Sequence, residues 1–156
     1  MHSHKETIVI GRTKIITFID TNHPVYLGVG DALAMLGGSL PEHVRRVEIT
    51  PATLAGTVAD TVICGQCIIK SHRCDIVIYA GSITAAVDQG SLRWHSRMVT
   101  LHEVGHSHFE DQVQQGLRFD ESVRLSRSFC ENEANEYVDE VLRVQPRKSF
   151  QQRINQ

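Results

Sequence analysis

The stretch LHEVGH, residues 101–106, constrains this chain more than any other. His102 and His106 are four residues apart, so on an α-helix they project from one face, one turn apart. That spacing lets two imidazoles bind one metal ion, and Glu103 beside them is placed to deprotonate a water that the metal activates. Because HExxH is a short pattern, it predicts such a site only if the chain also supplies a helix, a third ligand and a substrate cleft.

The residues around the motif have the pattern of an amphipathic helix. Ser91 is a candidate N-cap. Glu110 and Asp111 would be unfavourable at a helix C-terminus, so we expect the helix to end near residue 110. An apolar stripe at helical spacing, with His102 and His106 at its edge, is predicted to be buried. The stripe consists of Trp94, Met98, Leu101, Gly105 and Phe109.

A third ligand is predicted in a second helix, over residues 126–144. Glu131 and Asn135 are four residues apart and share a face, and the neighbouring Ala134 permits close packing against the first helix. Glu131 can then bind the metal, while Asn135 hydrogen-bonds a ligating histidine and holds its tautomer. Glu133 is the rival ligand, but about 200° around the helix separates it from Glu131, so both cannot face the metal.

The two segments together resemble the ImmA/IrrE family of zinc metallopeptidases, in which an HExGH helix is paired with an ExxAN helix. The resemblance covers residues 94–146, about a third of the chain. It implies one Zn²⁺ ion held by His102, His106 and Glu131 in a gluzincin-like site, with Glu103 as the general base. It also implies a protein or peptide substrate, for which a DNA-binding transcriptional repressor is the expected example.

The N-terminal half is predicted to be rich in β-strands. Residues 7–19 are predicted to form two short strands joined at Gly11-Arg12, or one bent strand. Residues 67–70 and 75–79 are predicted to form a hairpin, and the nearly continuous apolar run at 75–79 to offer an edge for an extended peptide. Residues 31–36 are predicted to form a short helix after a loop at 20–24.

These elements predict an α+β fold. A small mixed or antiparallel sheet would pack on the HExxH helix and on the C-terminal helix that carries the glutamate, in a minimal zincin-like arrangement. We expect one domain over residues 1–146, strand-rich at 7–81 and helical at 91–144, followed by a mobile tail at 147–156.

Composition places few further limits on function. Hydrophobic residues make up 41% and charged residues 22% of the 156, as in ordinary soluble globular domains. The net charge of −2 gives no indication of nucleic-acid or membrane binding, and no apolar run or N-terminal segment has the character of a membrane span or signal peptide. We therefore expect a cytoplasmic protein with no direct nucleic-acid or membrane partner.

Two further groups of residues are weaker candidates for the site. Cys64, Cys67, His72 and Cys74 are four potential ligands for a second metal within eleven residues. The second pair follows too soon for an ordinary zinc knuckle, so buried thiols are the simpler interpretation. Candidates for stabilising an oxyanion, which the sequence does not rank, are Tyr79, His95, Arg97 and Tyr137.

The predicted function is zinc-dependent hydrolysis of a peptide bond in a protein substrate, with Glu103 as base. The alternative is a non-catalytic zinc-containing binding or regulatory module with a vestigial peptidase site. Glu103 favours hydrolysis, because a structural zinc site needs no base beside its ligands.

Overall fold

The computed structural model describes residues 5–37, 40, 44–56, 60–70, 73–114, 131–132 and 134–143. Its strands are β1 (Glu6–Ile10), β2 (Thr13–Thr17), β3 (Val44–Thr50), β4 (Leu54–Ala55), β5 (Val62–Ile63), β6 (Gly65–Lys70) and β7 (Arg73–Tyr79). Its helices are α1 (Pro24–Met35), α2 (Ala80–Ala86), α3 (Leu92–Gln114) and α4 (residues 131–132 and 134–143), with one 3-10 turn at Gln89–Ser91. None of the helices in these ranges combines the length and apolar character needed to cross a bilayer.

Five strands form a mixed sheet in the order β1-β2-β3-β7-β6, and β4 pairs separately with β5. The two central pairs, β2–β3 and β3–β7, are parallel, while the outer pairs are antiparallel hairpins. The prediction of an α+β fold with a small mixed sheet is therefore confirmed, as are both hairpins. Residues 71–72, at the turn of the second hairpin, lie outside the described residues.

The expectation that residues 75–79 offer a free edge is wrong. They belong to β7, which pairs with β3 on one side and with β6 on the other. Its nearly continuous apolar sequence is consistent with this central position, because an interior strand is covered more completely than an edge strand. Among the described strands, the edge of the sheet beside the HExxH helix is formed by β6, the last strand in the sheet order.

The hydrophobic core lies between one face of the sheet and the helices α1 and α3. Successive strand residues point to opposite faces, so alternate positions of β2, β3 and β7 supply the buried side chains. These pack against apolar residues of α1 and against Val104 of α3. The sheet residues of this core are Ile15, Val44, Val47, Ile49, Cys74, Ile76 and Ile78.

Helix α1 is longer than the predicted helix at 31–36. It begins at Pro24, and the backbone N–H of Val25 donates to Nδ1 of the N-cap His23 at 3.1 Å. Proline suits the first helical turn, because the N–H that it lacks would have no partner there. Two glycines, Gly28 and Gly30, conceal the helix in the sequence because glycine is a poor helix former. Gly28 is needed nonetheless, since its Cα faces the backbone of α3 at Arg93.

We expect Gly28→Ala and Gly30→Ala to have opposite effects on stability. A Cβ at position 28 would lie 2.7 Å from Cβ of Ser96 and closer still to the carbonyl oxygen of Arg93, so α1 and α3 would have to separate. This should lower the free energy of unfolding by about 2–4 kcal/mol. A Cβ at position 30 meets nothing within 4 Å, so the alanine should raise it by about 1 kcal/mol. Urea denaturation of both variants tests this, and equal effects would contradict the close approach at Gly28.

Helix α3 departs from its predicted pattern in three respects. It continues to Gln114 instead of ending near 110, and Ser91 lies in the preceding 3-10 turn. Trp94 is 52% exposed, so the predicted apolar stripe is wrong at this position, and the side chain of Phe109 lies outside the described residues. Leu101 and Gly105 are buried as predicted, and Met98 is half-buried.

The part of α3 that faces α1 uses small polar residues in place of Trp94. Ser96 donates to the carbonyl of Leu92 at 2.6 Å, and Thr100 to that of Ser96 at 2.7 Å, so both hydroxyls are satisfied within the helix. Small buried side chains let α1 approach closely, whereas the tryptophan lies on the outer side. Packing against α1 therefore decides which residues of α3 are buried near its start, and hydrophobicity alone predicts the position of Trp94 incorrectly.

Helix α4 agrees with the predicted second helix where it is described. Ala134 and Val138 are buried, Val141 and Leu142 are half-buried, and Glu136 and Glu140 are exposed. Val138 packs with Ala32 of α1 and Leu101 of α3, in a small cluster separate from the main core. Residues 126–130, Glu133 and the predicted tail at 147–156 lie outside the described residues.

Candidate metal centre

Three side chains from α3 and α4 converge on one point. Nε2 of His106 lies 3.2 Å from Nε2 of His102 and 3.0 Å from Oε1 of Glu131, and the second carboxylate oxygen lies 3.0 Å from Nε2 of His102. Within the described ranges, these three residues alone form a group that could hold a metal ion. The ligand set predicted from the sequence is thus brought together.

The spacing of these atoms fits a bound metal. A tetrahedral zinc ion with bonds of about 2.1 Å separates its ligand atoms by about 3.4 Å, close to the distances between these nitrogen and oxygen atoms. The site is also accessible, because 43% of the Glu131 side chain is exposed while the two imidazoles are mostly covered. Within the described part of the chain, the two nitrogen donors and the carboxylate therefore leave one side of the group open to solvent.

Gly105 allows the two helices to meet at this distance. A Cβ at this position would lie 3.0 Å from both Cα and the carbonyl oxygen of Ala134, and 3.2 Å from Cβ of Tyr137. Both residues therefore have to be small at the crossing point. Because Gly105 precedes His106 and Ala134 lies three residues after Glu131, this crossing sets the distance between the imidazoles and the carboxylate.

Asn135 orients one of the imidazoles, as predicted. Its Oδ1 lies 3.0 Å from Nδ1 of His102. An amide oxygen can only accept, so Nδ1 of His102 carries the proton and donates it. This tautomer leaves the Nε2 lone pair directed at the carboxylate of Glu131, which is the form that a metal ligand requires.

Burial favours neutral His106. Desolvation lowers its pKa, and the neighbouring His102 lowers it further, while the carboxylate of Glu131 acts in the opposite direction. A neutral imidazole has the free lone pair that a metal needs. Protons are therefore expected to compete less with a metal ion for this nitrogen.

Glu103 lies next to the three ligands and has no comparable access to solvent. Only 7% of the residue is exposed. Burial raises the pKa of its carboxyl to about 8, and the charge of Glu131 contributes to the shift. A bound dication would act against the shift, because positive charge favours the carboxylate form. The side chain can thus hold or release a proton near neutral pH.

The sequence did not reveal what encloses Glu103. A Cβ on Gly65, the first residue of β6, would lie 2.7 Å from Cγ1 of Val99 and 3.1 Å from Cγ and Oε2 of Glu103. Gly65 therefore brings the edge strand of the sheet against the carboxylate. Val99 could have been found, because it lies four residues before Glu103 on the same helix face. Gly65 could not have been found from the sequence, because the pairing of β6 with β7 determines its position.

We expect the stability of the metal-free protein to fall with rising pH because of Glu103. Below about pH 4.5 the carboxyl is protonated in the folded and unfolded states alike. Above it the unfolded chain ionises, while the folded chain keeps its proton up to a pKa of about 8. The free energy of unfolding should therefore drop by up to about 5 kcal/mol across this window, and Glu103→Gln should remove that drop.

Urea denaturation of metal-free wild type and Glu103→Gln at pH 5 and pH 8 measures this difference. Glu136→Gln is the matched control, because it makes the same change at an exposed position of α4. Parallel pH profiles for wild type and Glu103→Gln would contradict the burial of an ionisable group at position 103.

The predicted oxyanion candidates do not converge on the ligands. The hydroxyl of Tyr79 donates to Oε1 of Gln66 at 2.7 Å, and both lie on the sheet face opposite the core. His95 and Arg97 lie on α3 before the motif, and each has a buried nitrogen without a partner in the described structure. Tyr137 packs against Gly105, beside the ligand His106, with its ring 5.1 Å from that of His108.

The cysteines have no second metal group among the described residues. Cys64, Cys67 and Cys74 are thiols, half-buried at the first two positions and buried at the third. Cys64 and Cys67 are three residues apart along extended chain, about 10 Å, which is too far for a disulfide. Burial raises the pKa of the Cys64 thiol, and the charge of Glu103 raises it further. His72 lies outside the described residues.

Comparison of the chain with protein-family models, with curated proteins and with solved structures gives no match. The fold and the site therefore rest on their own geometry. The ImmA/IrrE resemblance remains an expectation drawn from two motifs.

Proposed function

We propose that this chain is a zinc-dependent metalloendopeptidase, of the kind in which an HExxH helix and a downstream glutamate supply the ligands. One observation carries the proposal: His102, His106 and Glu131 bring three ligand atoms within 4.8 Å of one another, beside the buried carboxylate of Glu103. This zincin-like arrangement joins a metal site that has an open side to a proton acceptor, and hydrolysis needs both.

The donor set and its neighbour favour zinc. Two imidazoles and one carboxylate also suit non-haem iron(II), so the ligands alone do not choose the metal. The choice rests on Glu103, since a carboxylate next to the ligands serves as the proton acceptor that hydrolysis needs. A zinc ion held there would supply Lewis acidity towards the peptide carbonyl and the attacking water.

The protein's own residues have separable tasks in this reaction. Glu103 takes a proton from the attacking water and returns it to the nitrogen of the departing amine, so one water is consumed and two new termini are formed. Asn135 keeps the proton on Nδ1 of His102, so that Nε2 of this ring is free to bind the metal. The close contact between Gly105 and Ala134 holds Glu131 in place.

The outer edge of β6, which pairs with no further strand among the described residues, is the surface that we assign to the substrate. An extended peptide can add to an exposed strand through main-chain hydrogen bonds, with little demand on its sequence. The first residue of β6, Gly65, lies beside Glu103, so a peptide on this edge would pass next to the base. A protein substrate with an accessible extended segment, such as a repressor, suits this arrangement.

Metal analysis followed by cleavage of a peptide library tests the proposal. We expect about one zinc per chain by elemental analysis. We also expect cleavage of unstructured peptides that stops when a chelator removes the metal and returns with added zinc. Iron in place of zinc, or cleavage that continues after the chelator is added, would contradict the proposal. A chain that holds zinc but cuts no peptide in a broad library would support the alternative, a non-catalytic binding module.

We expect Gly105→Ala to weaken zinc binding while leaving the chain folded. The new methyl group meets the backbone of Ala134 at 3.0 Å, so α4 must move by a few tenths of an ångström and carry Glu131 with it. Misplaced supporting groups typically cost metal sites about 10- to 100-fold in affinity, and we expect an effect in that range. Competition with a zinc chelator measures it. Gly30→Ala, also a helical Gly→Ala change but in open space, should bind zinc as the wild type does.

A further inference from the structure

A strongly basic groove lies away from the metal site, at the end of the sheet where β1 turns into β2 and β6 turns into β7. It has a volume of about 910 Å³. We call it the basic groove, and its cationic side chains are Arg12, Lys14, Arg45, Arg46, Lys70 and Arg73. All six are exposed, and Asp75 supplies the only carboxylate of the described lining.

Strand register explains how cations so far apart in sequence meet. Lys14 pairs with Arg46 across β2 and β3, and Arg46 pairs with Asp75 across β3 and β7, so these side chains form one row. The alternate positions, such as Val47, point into the core. The row therefore lies on the opposite face of the sheet, the one that α1 and α3 do not cover. The groove and Gly65, beside the metal site, lie at opposite ends of β6, about 17 Å apart.

Part of the positive charge in the groove is held in ion pairs, and part has no carboxylate partner among the described residues. Asp75 is buried and holds Nζ of Lys70 at 3.1 Å and a guanidinium nitrogen of Arg73 at 3.7 Å. A guanidinium nitrogen of Arg46 lies 2.6 Å from Oε1 of Glu48. Within the described parts of the chain, Lys14 and Arg45 make no ion pair. Six of the 16 basic residues thus lie in one groove of a chain whose net charge is −2.

We propose that the basic groove binds the phosphodiester backbone of a nucleic-acid duplex without reading its sequence. From β2 to β6 the groove spans three strand spacings, about 14 Å. Over that length a DNA duplex carries about eight negative charges. An extended acidic peptide places only one carboxylate about every 6.8 Å on one face, so it would present about two over the same length. Four of the six are arginines, whose planar guanidinium groups match phosphate oxygens two at a time.

The lining also favours a duplex over a single strand and backbone contacts over base contacts. Proteins that hold single strands stack the bases on aromatic side chains, and the described lining has none. The cationic side chains of the lining are all arginine and lysine, which contact phosphate oxygens and so position a protein on a duplex without reading its sequence directly. This proposal departs from the expectation drawn from the net charge, because a chain average conceals charge concentrated on one face.

Fluorescence anisotropy with a labelled 20-base-pair DNA duplex of arbitrary sequence tests the proposal. We expect binding at 50 mM salt, and we expect the affinity to fall about 40-fold at 200 mM. This is the salt dependence of a protein that neutralises about three phosphates. Lys14→Gln combined with Arg45→Gln should weaken binding at least tenfold at 50 mM and reduce the salt slope by about 2. Lys5→Gln combined with Arg143→Gln changes the net charge equally at exposed positions outside the groove and should bind as the wild type does.

The same assay contains the results that would overturn the proposal. These are an absence of binding at 50 mM salt, equal weakening by the two double variants, or tighter binding of a glutamate-rich peptide than of the duplex. The last result would assign the groove to an acidic protein segment. Circular dichroism verifies that both double variants are folded. Glu103→Gln should bind the duplex unchanged, so failure of duplex binding and failure of the peptidase proposal are distinguishable.

Discussion

Glu103→Gln is expected to reduce peptide hydrolysis by about 10²- to 10⁴-fold while zinc content stays at the wild-type level. The substitution preserves the shape of a side chain that is only 7% exposed, so packing against Gly65 and Val99 should survive. What it removes is the group that accepts and returns a proton. Glutamine cannot do this at any pH in the working range, so the loss should appear in kcat more than in KM.

Two measurements separate this outcome from simple misfolding. Zinc content and urea denaturation of Glu103→Gln should show a loaded, folded protein, with stability at pH 8 equal to or above that of the wild type. Glu140→Gln, an exposed change on α4, should leave hydrolysis unchanged. If Glu103→Gln retained full activity with zinc bound, the carboxylate would not be the base and the mechanism would be wrong.

Glu131→Gln is expected to weaken zinc binding by more than about 100-fold. Removing a group that merely supports a ligand typically costs about 10- to 100-fold, and the carboxylate of Glu131 is in direct reach of both imidazoles at 3.0 Å. The amide lacks the negative charge that offsets the charge of the ion. His102→Ala should have an effect at least as large. Chelator competition and elemental analysis of the purified variants measure both.

The matched controls lie on the same helix. Glu136→Gln makes the same change at an exposed position of the same helix, and this variant should bind zinc normally. Glu133→Gln tests the rival ligand that the sequence left open. If Glu131→Gln kept its full zinc content while Glu133→Gln lost zinc, the third ligand would be Glu133. That result would contradict the role of Glu131 that its contacts with the two imidazoles indicate.

The site was more predictable than the elements around it. Helical periodicity alone places His102, His106 and Glu103 relative to one another, and the spacing from Glu131 to Asn135 does the same on α4. The contact between the two helices needed only the inference that Gly105 and Ala134 are small enough to cross. The spacings within each helix depend on local geometry, and for that reason the sequence contains them, whereas the crossing of the two helices is a tertiary contact that small residues at Gly105 and Ala134 only permit.

The errors came from packing that the sequence does not display. Trp94 fits an apolar stripe, but α1 approaches through Gly28 and needs small residues such as Ser96 on that side. Residues 75–79 have the composition of a covered strand, yet whether β7 or β6 forms the edge depends on where β3 pairs. The basic groove was missed for the same reason, because register across β2, β3 and β7 places Lys14 beside Arg46.

The distribution of the ligands over two segments has a consequence for cooperativity. His106 and Glu131 are 25 residues apart, so a metal held by both closes a loop of that length. Fixing such a loop costs the chain about 3.5 kcal/mol of entropy, which would otherwise reduce metal affinity. The burial of Ala134 and Val138 closes the loop before any ion arrives. Apolar contacts remote from the ligands therefore contribute directly to metal affinity, because they meet the entropic cost of closing the loop before the metal binds.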